Sequence, residues 1–327
     1  MKNILEIFKE KRKQWIHCFS GDDRHSIINQ ISNMVWNAAV FKVINESRRI
    51  VTDNGQKQAE MNGMLHRFID RCFFDSQLLS VRRLCDPGSV VGSDGVFSLV
   101  SLMNDMKQHV HLMTRENFFK DEKLEYDIEA IRQKEMEYFR EHTKNGTGAL
   151  WIPNEVDSHS VERRHREIDD LTGTDEANRN PNDAVSANLL EFLIKKVKQD
   201  TQNIKLRVDQ NVAHAASPQS RQYKNSDGVS LTLNCLWESH RIICQVANFI
   251  DMYLLSRASH SFLPTPQYDH LEFIDKSFIS TEQIETISNA WHEFHRETDS
   301  WGSWGLADVK EEMSKFSQNA GHSIINR

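Results

Sequence analysis

The chain has 327 residues, with 40 Lys and Arg against 47 Asp and Glu and a formal charge of −7. This balance excludes a bulk polycation that coats nucleic acid, so any nucleic-acid contact must come from a local basic patch. The 17 Phe, 7 Trp and 39% hydrophobic residues exclude wholesale disorder, and only 13 Gly and 6 Pro leave few tight turns for a β-rich fold.

In chain order, residues 1–24 hold a short basic amphipathic helix over 1–20, with Ile4, Ile7, Phe8 and Trp15 on its apolar side. Residues 25–50 form a second helix ending in Arg48 and Arg49, which suit a helix C-terminus. A third covers 56–85, where Leu65, Phe68, Ile69, Cys72 and Phe73 follow the i, i+3, i+4, i+7, i+8 pattern. Asp86-Pro87-Gly88 breaks it. After a Gly/Ser loop at 87–95, helical spacing resumes over 97–113, and 116–143 reads as one charged, half-solvated helix.

Residues 144–182 contain Asn145-Gly146, Gly148, Pro153, Gly173 and Pro181 and read as a long insertion with one short helix at 158–171. Loops of that length are uncommon unless they serve a function. The longest helical pattern follows at 183–215, with Asn182 or Asp183 as its cap. Residues 229–258 form another apolar helix, 262–280 are irregular, and 281–299 are a last amphipathic helix before the segment SWGSWG and a polar tail. The tryptophans of that segment are expected to pack the C-terminus down. These elements predict an all-α protein of six to eight helices. Residues 25–260 form the main helical domain, and 261–327 are an extension packed on it.

No apolar run reaches the ~20 residues of a membrane span, and the opening MKNILEIFKEKRKQW is too polar for a secretory signal. Cys18, Cys72, Cys85, Cys235 and Cys244 are odd in number and widely spaced, with no C-x-x-C. That is the pattern of reduced thiols, so a cytoplasmic protein without membrane contact is expected. His292 and His295 flank Glu293, but H-E-F-H is not H-E-x-x-H and no third ligand stands out. The chain has no GxGxxG, P-loop or G-x-S-x-G. No metal or cofactor is expected.

The stretch LRVDQNVAHAASP, late in the longest helix, carries the candidate chemistry. At ~100° per residue, Arg207, Asn211 and His214 share one stripe at the rim of the apolar face formed by Ile204, Val208, Val212 and Ala215. Arginine offers a planar fork for a phosphate, and histidine exchanges a proton near neutral pH. Together they suit metal-free RNA cleavage, in which the ribose 2′-OH supplies the nucleophile. Asn211 could hold the phosphate or set the histidine tautomer. Arg12 and His17 have a related spacing but point to different faces. Arg82 and Arg83, with Asp86, could fix the catalytic helix or contact RNA, or form a structural ion pair. Arg163, Arg164, His165 and Arg166 are the densest basic cluster, either a phosphate-attracting patch or a solvated face balanced by Glu162, Glu167, Asp169 and Asp170.

At these residues the chain resembles the HEPN superfamily, in particular the abortive-infection and toxin-type HEPN proteins. Their mark is R-x(4–6)-H near the end of a long helix followed by another apolar helix, and RVDQNVAH has that form. FFDSQLLSVRRLCDP at 73–87 followed by SLVSLMNDM is a second likeness, and the position after the arginine, polar in many members, is Val208. The resemblance covers roughly 25–260, with the insertion at 144–182. It implies a HEPN-like helical bundle, usually dimeric, that brings two R…H motifs into one cleft. It further implies a metal-independent endoribonuclease of a phage-defence or toxin–antitoxin system, with RNA as substrate and an antitoxin or defence component as partner. Arg207 and His214 carry over from the family motif. The alternative is a non-catalytic helical module that binds RNA or a protein.

Overall fold

A computed structural model describes residues 3–53, 62–144, 157–212, 231–257, 261–274 and 280–301, together with positions 146, 152–153, 219 and 276. It divides into one unit at Met1–Pro264 and another at Thr265–Arg327, each taken by itself. Helix dominates both, as the composition predicts. Among the described residues no strand forms beyond an isolated antiparallel bridge between Thr114 and Ala184.

The first unit contains α1 (Ile4–Ser20), α2 (Ile27–Asp53), α3 (Gly63–Leu84), α4 (Leu99–Gln108), α5 (Arg115–Asp121), α6 (Ile128–Thr143), α7 (Ser158–Thr172), α8 (Ala187–Asp200), α9 (Gln202–Arg207) and α10 (Leu233–Phe249). Local signals set several starts and stops. The side chains of Asn3, Asn62, Thr114, Asp127 and Asp157 accept from first-turn amides. Ser98 and Ser101 cap α4 reciprocally. Gly173, at φ 76°, ends α7 in the left-handed conformation that glycine adopts without strain.

The helices outnumber the six to eight expected, because two continuous patterns are broken. The charged stretch 116–143 is α5 and α6 with an intervening turn, where Lys123 takes a positive φ of 57°. The stretch 183–215 begins only at Ala187, and Thr201 interrupts it. There the Thr201 side chain turns back to bond the Val197 carbonyl at 2.8 Å. Ser239 of α10 donates to the Asp200 carbonyl at 3.0 Å and so satisfies one acceptor that the break exposes. After α9 the chain closes a π-type turn over Val208–Val212. A second π-type turn, Ile250–Leu254, follows α10.

The core of this unit is built around α1, whose Phe8, Trp15 and Phe19 are buried, with Phe118 of α5 edge-on to Phe8 at 5.3 Å. α2 lies along α3, α4 and α10 pack on α8, and α3 meets α9 and α10. On α2 and α3, Phe41 and Phe73 stack at 3.7 Å. α7, the short helix expected within 144–182, buries Val161, Ile168 and Leu171 in the same core.

Charged groups are drawn into this core in linked sets. Glu122 accepts from Arg164 at 2.8 and 2.9 Å and from Ser256 Oγ at 2.6 Å, and lies 3.6 Å from Arg12. Arg12 also pairs with Asp121 and donates to the carbonyl of Leu255, the residue after Leu254, at 2.8 Å, which ties α1 to the chain that leaves α10. Arg115, with no exposed surface, donates to Asp169 at 2.7 Å and Asp183 at 3.2 Å, and Arg179 closes on Asp169 at 2.7 Å. Burial alone would raise the Asp169 carboxyl, but the hydrogen bonds from Arg179 and Arg115 outweigh it and hold it below the ordinary range. His165 Nε2 donates to the Tyr126 carbonyl at 3.0 Å while Nδ1 accepts from Arg115 at 3.2 Å. That pairing fixes a neutral tautomer, and burial pushes the imidazole pKa down. Asp105 receives Trp15 Nε1 at 2.6 Å and Lys11 at 3.1 Å, joining α1 to α4.

The second unit contains α11 (Ile284–Trp301), entered through a short 3-10 turn over Thr281–Gln283, and its described residues 265–274 are irregular; residues 275 and 277–279 of the stretch expected to be irregular lie outside the described residues. No helix of the described residues is long and apolar enough to cross a membrane.

Candidate functional site

Arg207 is the last residue of α9. Its neighbours Ile204 and Val208 are buried and hold the short helix on the core, which leaves Arg207 half-buried at the edge. It lines a cleft of about 300 Å³ with Phe74, Asp75 and Leu78 of α3, Val212 of the π-type turn and Leu231. With the described residues it makes no hydrogen bond and no ion pair. A guanidinium in that position is free to meet an incoming anion, with apolar walls that strengthen the interaction.

The expected stripe of Arg207, Asn211 and His214 assumed an uninterrupted α-helix. The π-type turn spends five residues where an α-turn spends four, so the ~100° per residue spacing ends at Val208. Asn211 lies within that turn by its backbone, while its side chain and the whole of His214 fall outside the described residues. Turns of this kind concentrate at functional sites.

Arg82 and Arg83, adjacent at the end of α3, have different settings. Arg82 donates to Asp86 at 2.9 Å and to Asp209 at 3.1 Å. Burial works against its charge, but the two carboxylates outweigh it and raise the guanidinium pKa. Arg82 therefore clamps the π-type turn to α3, a positioning contact one residue beyond Val208. Arg83 is exposed and lines a second cleft of about 420 Å³ with Asp23, His25, Gln30, Asp86, Gly95, Val96 and Phe97. Behind the clamp, Cys85 is buried against Thr201, and burial pushes its thiol up to about 11. A thiol in that state packs as a small hydrophobe and is unreactive near neutral pH.

The basic cluster of α7 also divides. Arg164 is buried and committed to Glu122, Glu167 and Ser256, with its guanidinium 5.0 Å from the centre of the Phe118 ring. Arg163 is exposed and stands 3.8 Å from Glu167. Arg166 pairs with Glu162. This face is balanced by acids, and a phosphate reaching Arg164 would have to displace Glu122.

The walls of the Arg207 cleft were not singled out in the sequence. Phe74, Asp75 and Leu78 lie more than a hundred residues from Arg207, and only the packing of α9 on α3 brings them together. Asp209 carries no spacing signal of its own, because its partner Arg82 is equally remote.

No protein-family model matches the chain, and comparison with curated proteins and with solved structures gives no significant match.

Proposed function

We propose that the protein is a metal-independent endoribonuclease of the HEPN type, acting in phage defence or as the toxin of a toxin–antitoxin pair. The observation that carries this reading is Arg207, an arginine unpaired with the described residues, held at the wall of a partly apolar cleft beside a π-type turn.

In this reading Arg207 binds the scissile phosphate and stabilises its developing charge. The ribose 2′-oxygen attacks phosphorus and the bond to the 5′-oxygen breaks, leaving a 2′,3′-cyclic phosphate and a 5′-hydroxyl. His214, neutral, takes the 2′-OH proton, and the imidazolium so formed can return a proton to the leaving 5′-oxygen. Asn211 orients the phosphate or the imidazole. Arg82 positions the turn through Asp209, and the exposed Arg83 and Arg163 offer outer phosphate contacts. A homodimer would place two such motifs in one cleft, and an antitoxin or defence component would hold the enzyme in check.

The test is incubation of the pure protein with total RNA and with tRNA in EDTA, beside Arg207→Ala and His214→Ala. Wild-type cleavage should fall ~100-fold or more in each variant, with helicity and oligomeric state unchanged. Equal cleavage by both variants would sink the mechanism.

A second reading is favoured by Asp75 in the cleft wall and by buried Val208 at the position after the arginine. The same fold would then bind RNA or a protein partner without cutting. RNA retained on the protein but intact, in wild type and variants alike, would select it.

A further inference from the structure

The Arg207 cleft contains one group to which the proposed reaction gives no role. Asp75 of α3 lines the cleft with Phe74, Leu78, Val212 and Leu231. It borders the same space as Arg207, yet the two form no ion pair with each other. The ion-pair contact of Asp75 is with Arg71, four residues back on α3, at 3.8 Å. That separation is too long for a hydrogen bond, and Arg71 is 84% exposed, so solvent screens the attraction. Both oxygens of Asp75 therefore stay available as acceptors. A carboxylate in the wall of a phosphate site repels its ligand unless the ligand also brings donors to it.

We propose that this cleft takes one unstacked RNA base, that the base is guanine and that Asp75 selects it; the proposal rests on the RNA-cleaving reading above.

Size and walls point to a base. A volume of about 300 Å³ lies at the small end of small-molecule sites. It has room for one base and none for a base pair, so the strand must be single and the base splayed out, as in most sequence-specific RNA recognition. Phe74, Leu78, Val212 and Leu231 give the flat faces of a base an apolar seat. Phe74 is half-buried, and its ring is steadied by Phe41 and Phe73, at 6.4 and 5.7 Å between centres.

The edge chemistry picks out which base. A carboxylate offers two acceptors side by side and no donor. Guanine alone among the four bases carries two adjacent donors, N1–H and N2–H, on its Watson–Crick edge. Adenine sets its N6 donor beside the N1 acceptor, and cytosine sets its N4 donor beside N3. Uracil flanks its N3 donor with two carbonyls. Each of these three turns a lone pair toward a carboxylate oxygen, and a site built for paired hydrogen bonds rejects such a ligand strongly. The packing of α9 on α3 sets the span from Arg207 to Asp75. With the phosphate on Arg207, the selected base belongs to a nucleotide that flanks the scissile bond.

The test measures binding by fluorescence anisotropy at one salt concentration, using single-stranded oligouridylates with guanine, adenine, cytosine or uracil at the central position. All sugars are 2′-fluoro, which removes the nucleophile, so binding is read without cleavage. Wild type should hold the guanine strand ~10-fold or more tighter than the other three. Asp75→Asn keeps the shape of the side chain and turns one acceptor into a donor. Its preference should pass from guanine to adenine or cytosine, a redirection that a merely structural Asp75 would not produce. Arg207→Ala should weaken all four strands alike, because a phosphate contact carries no sequence information. Equal binding of the four strands by wild type, a guanine preference that survives Asp75→Asn, or no binding of any strand overturns the proposal. Cleavage is scored separately on RNA with ordinary ribose. Guanine-selective, Asp75-dependent binding without cleavage keeps the proposal and removes the ribonuclease, and cleavage without a guanine preference does the reverse.

Discussion

His240 of α10 is buried, and its Nε2 makes no hydrogen bond among the described residues. Burial pushes its pKa down from 6.5 to about 4. The unfolded chain binds this proton more readily, so the stability that depends on neutral His240 is fully present above pH 6.5 and is lost as pH falls toward 4. His165, also pushed down by burial, works in the same direction. The expected outcome is a stability that drops through this window, with a His240→Leu variant losing less, by up to about 1.4 kcal/mol per pH unit. Urea midpoints at several pH values measure it. Glu122 matters through the charge it shares between two arginines. Glu122→Gln would leave Arg12 and Arg164 buried with their shared counter-charge gone, at a cost of about 3 kcal/mol in chemical denaturation.

At the scale of elements, the sequence shows periodicity well and interruptions poorly. α1, α2, α3, α7 and α10 fall close to where apolar spacing puts them, because each is a single amphipathic run. The break at Thr201 is hidden, since Leu193, Val197, Ile204 and Val208 keep an apolar face through it. Only Thr201 and Asn203, two weak helix formers, hint at the interruption. What fixes the break is tertiary: the hydroxyl of Ser239, from another helix, on the Asp200 carbonyl. Ser239→Ala should therefore cost about 1 kcal/mol, with faster amide exchange at the α8–α9 junction. The candidate site shows the same division. Spacing singles out Arg207 as a candidate but not the cleft it lines, because Phe74 and Asp75 reach it only through helix packing. Arg82→Ala should free the turn at Asp209 and raise exchange over 208–212 and, if the protein is the proposed ribonuclease, lower RNA cleavage. Global stability should move by no more than about 1 kcal/mol, since the pair is partly exposed.

For the molecule as a whole, charge is spent inside the main unit. Arg12, Arg115, Arg164 and Arg179 are bound to carboxylates and tie the elements of this unit together. Pairings such as Arg164 with Glu122 span 42 positions, so no local reading distinguishes them from a phosphate-binding patch. Arg163, exposed, keeps only the long contact to Glu167, and Arg83 is exposed with no acidic partner among the described residues. If RNA is the ligand, its affinity should fall only shallowly with added salt, by roughly one power of concentration per phosphate contacted. A salt titration of binding by the Arg207→Ala variant against wild type measures whether Arg207 is one of those contacts.

The π-type turns after α9 and α10 have a consequence for how the sequence can change length. Such a turn is what a helix keeps when it gains one residue without giving up the contacts on either side. Deleting one position from Val208–Val212 would convert the wide turn to an ordinary one. Elsewhere in these helices a one-residue deletion rotates every later side chain by ~100° off its partner. The ends of α9 and α10 are thus the two places among the described residues where an inserted or lost codon can be absorbed within a helix. In the first of them, that slack lies directly beside Arg207.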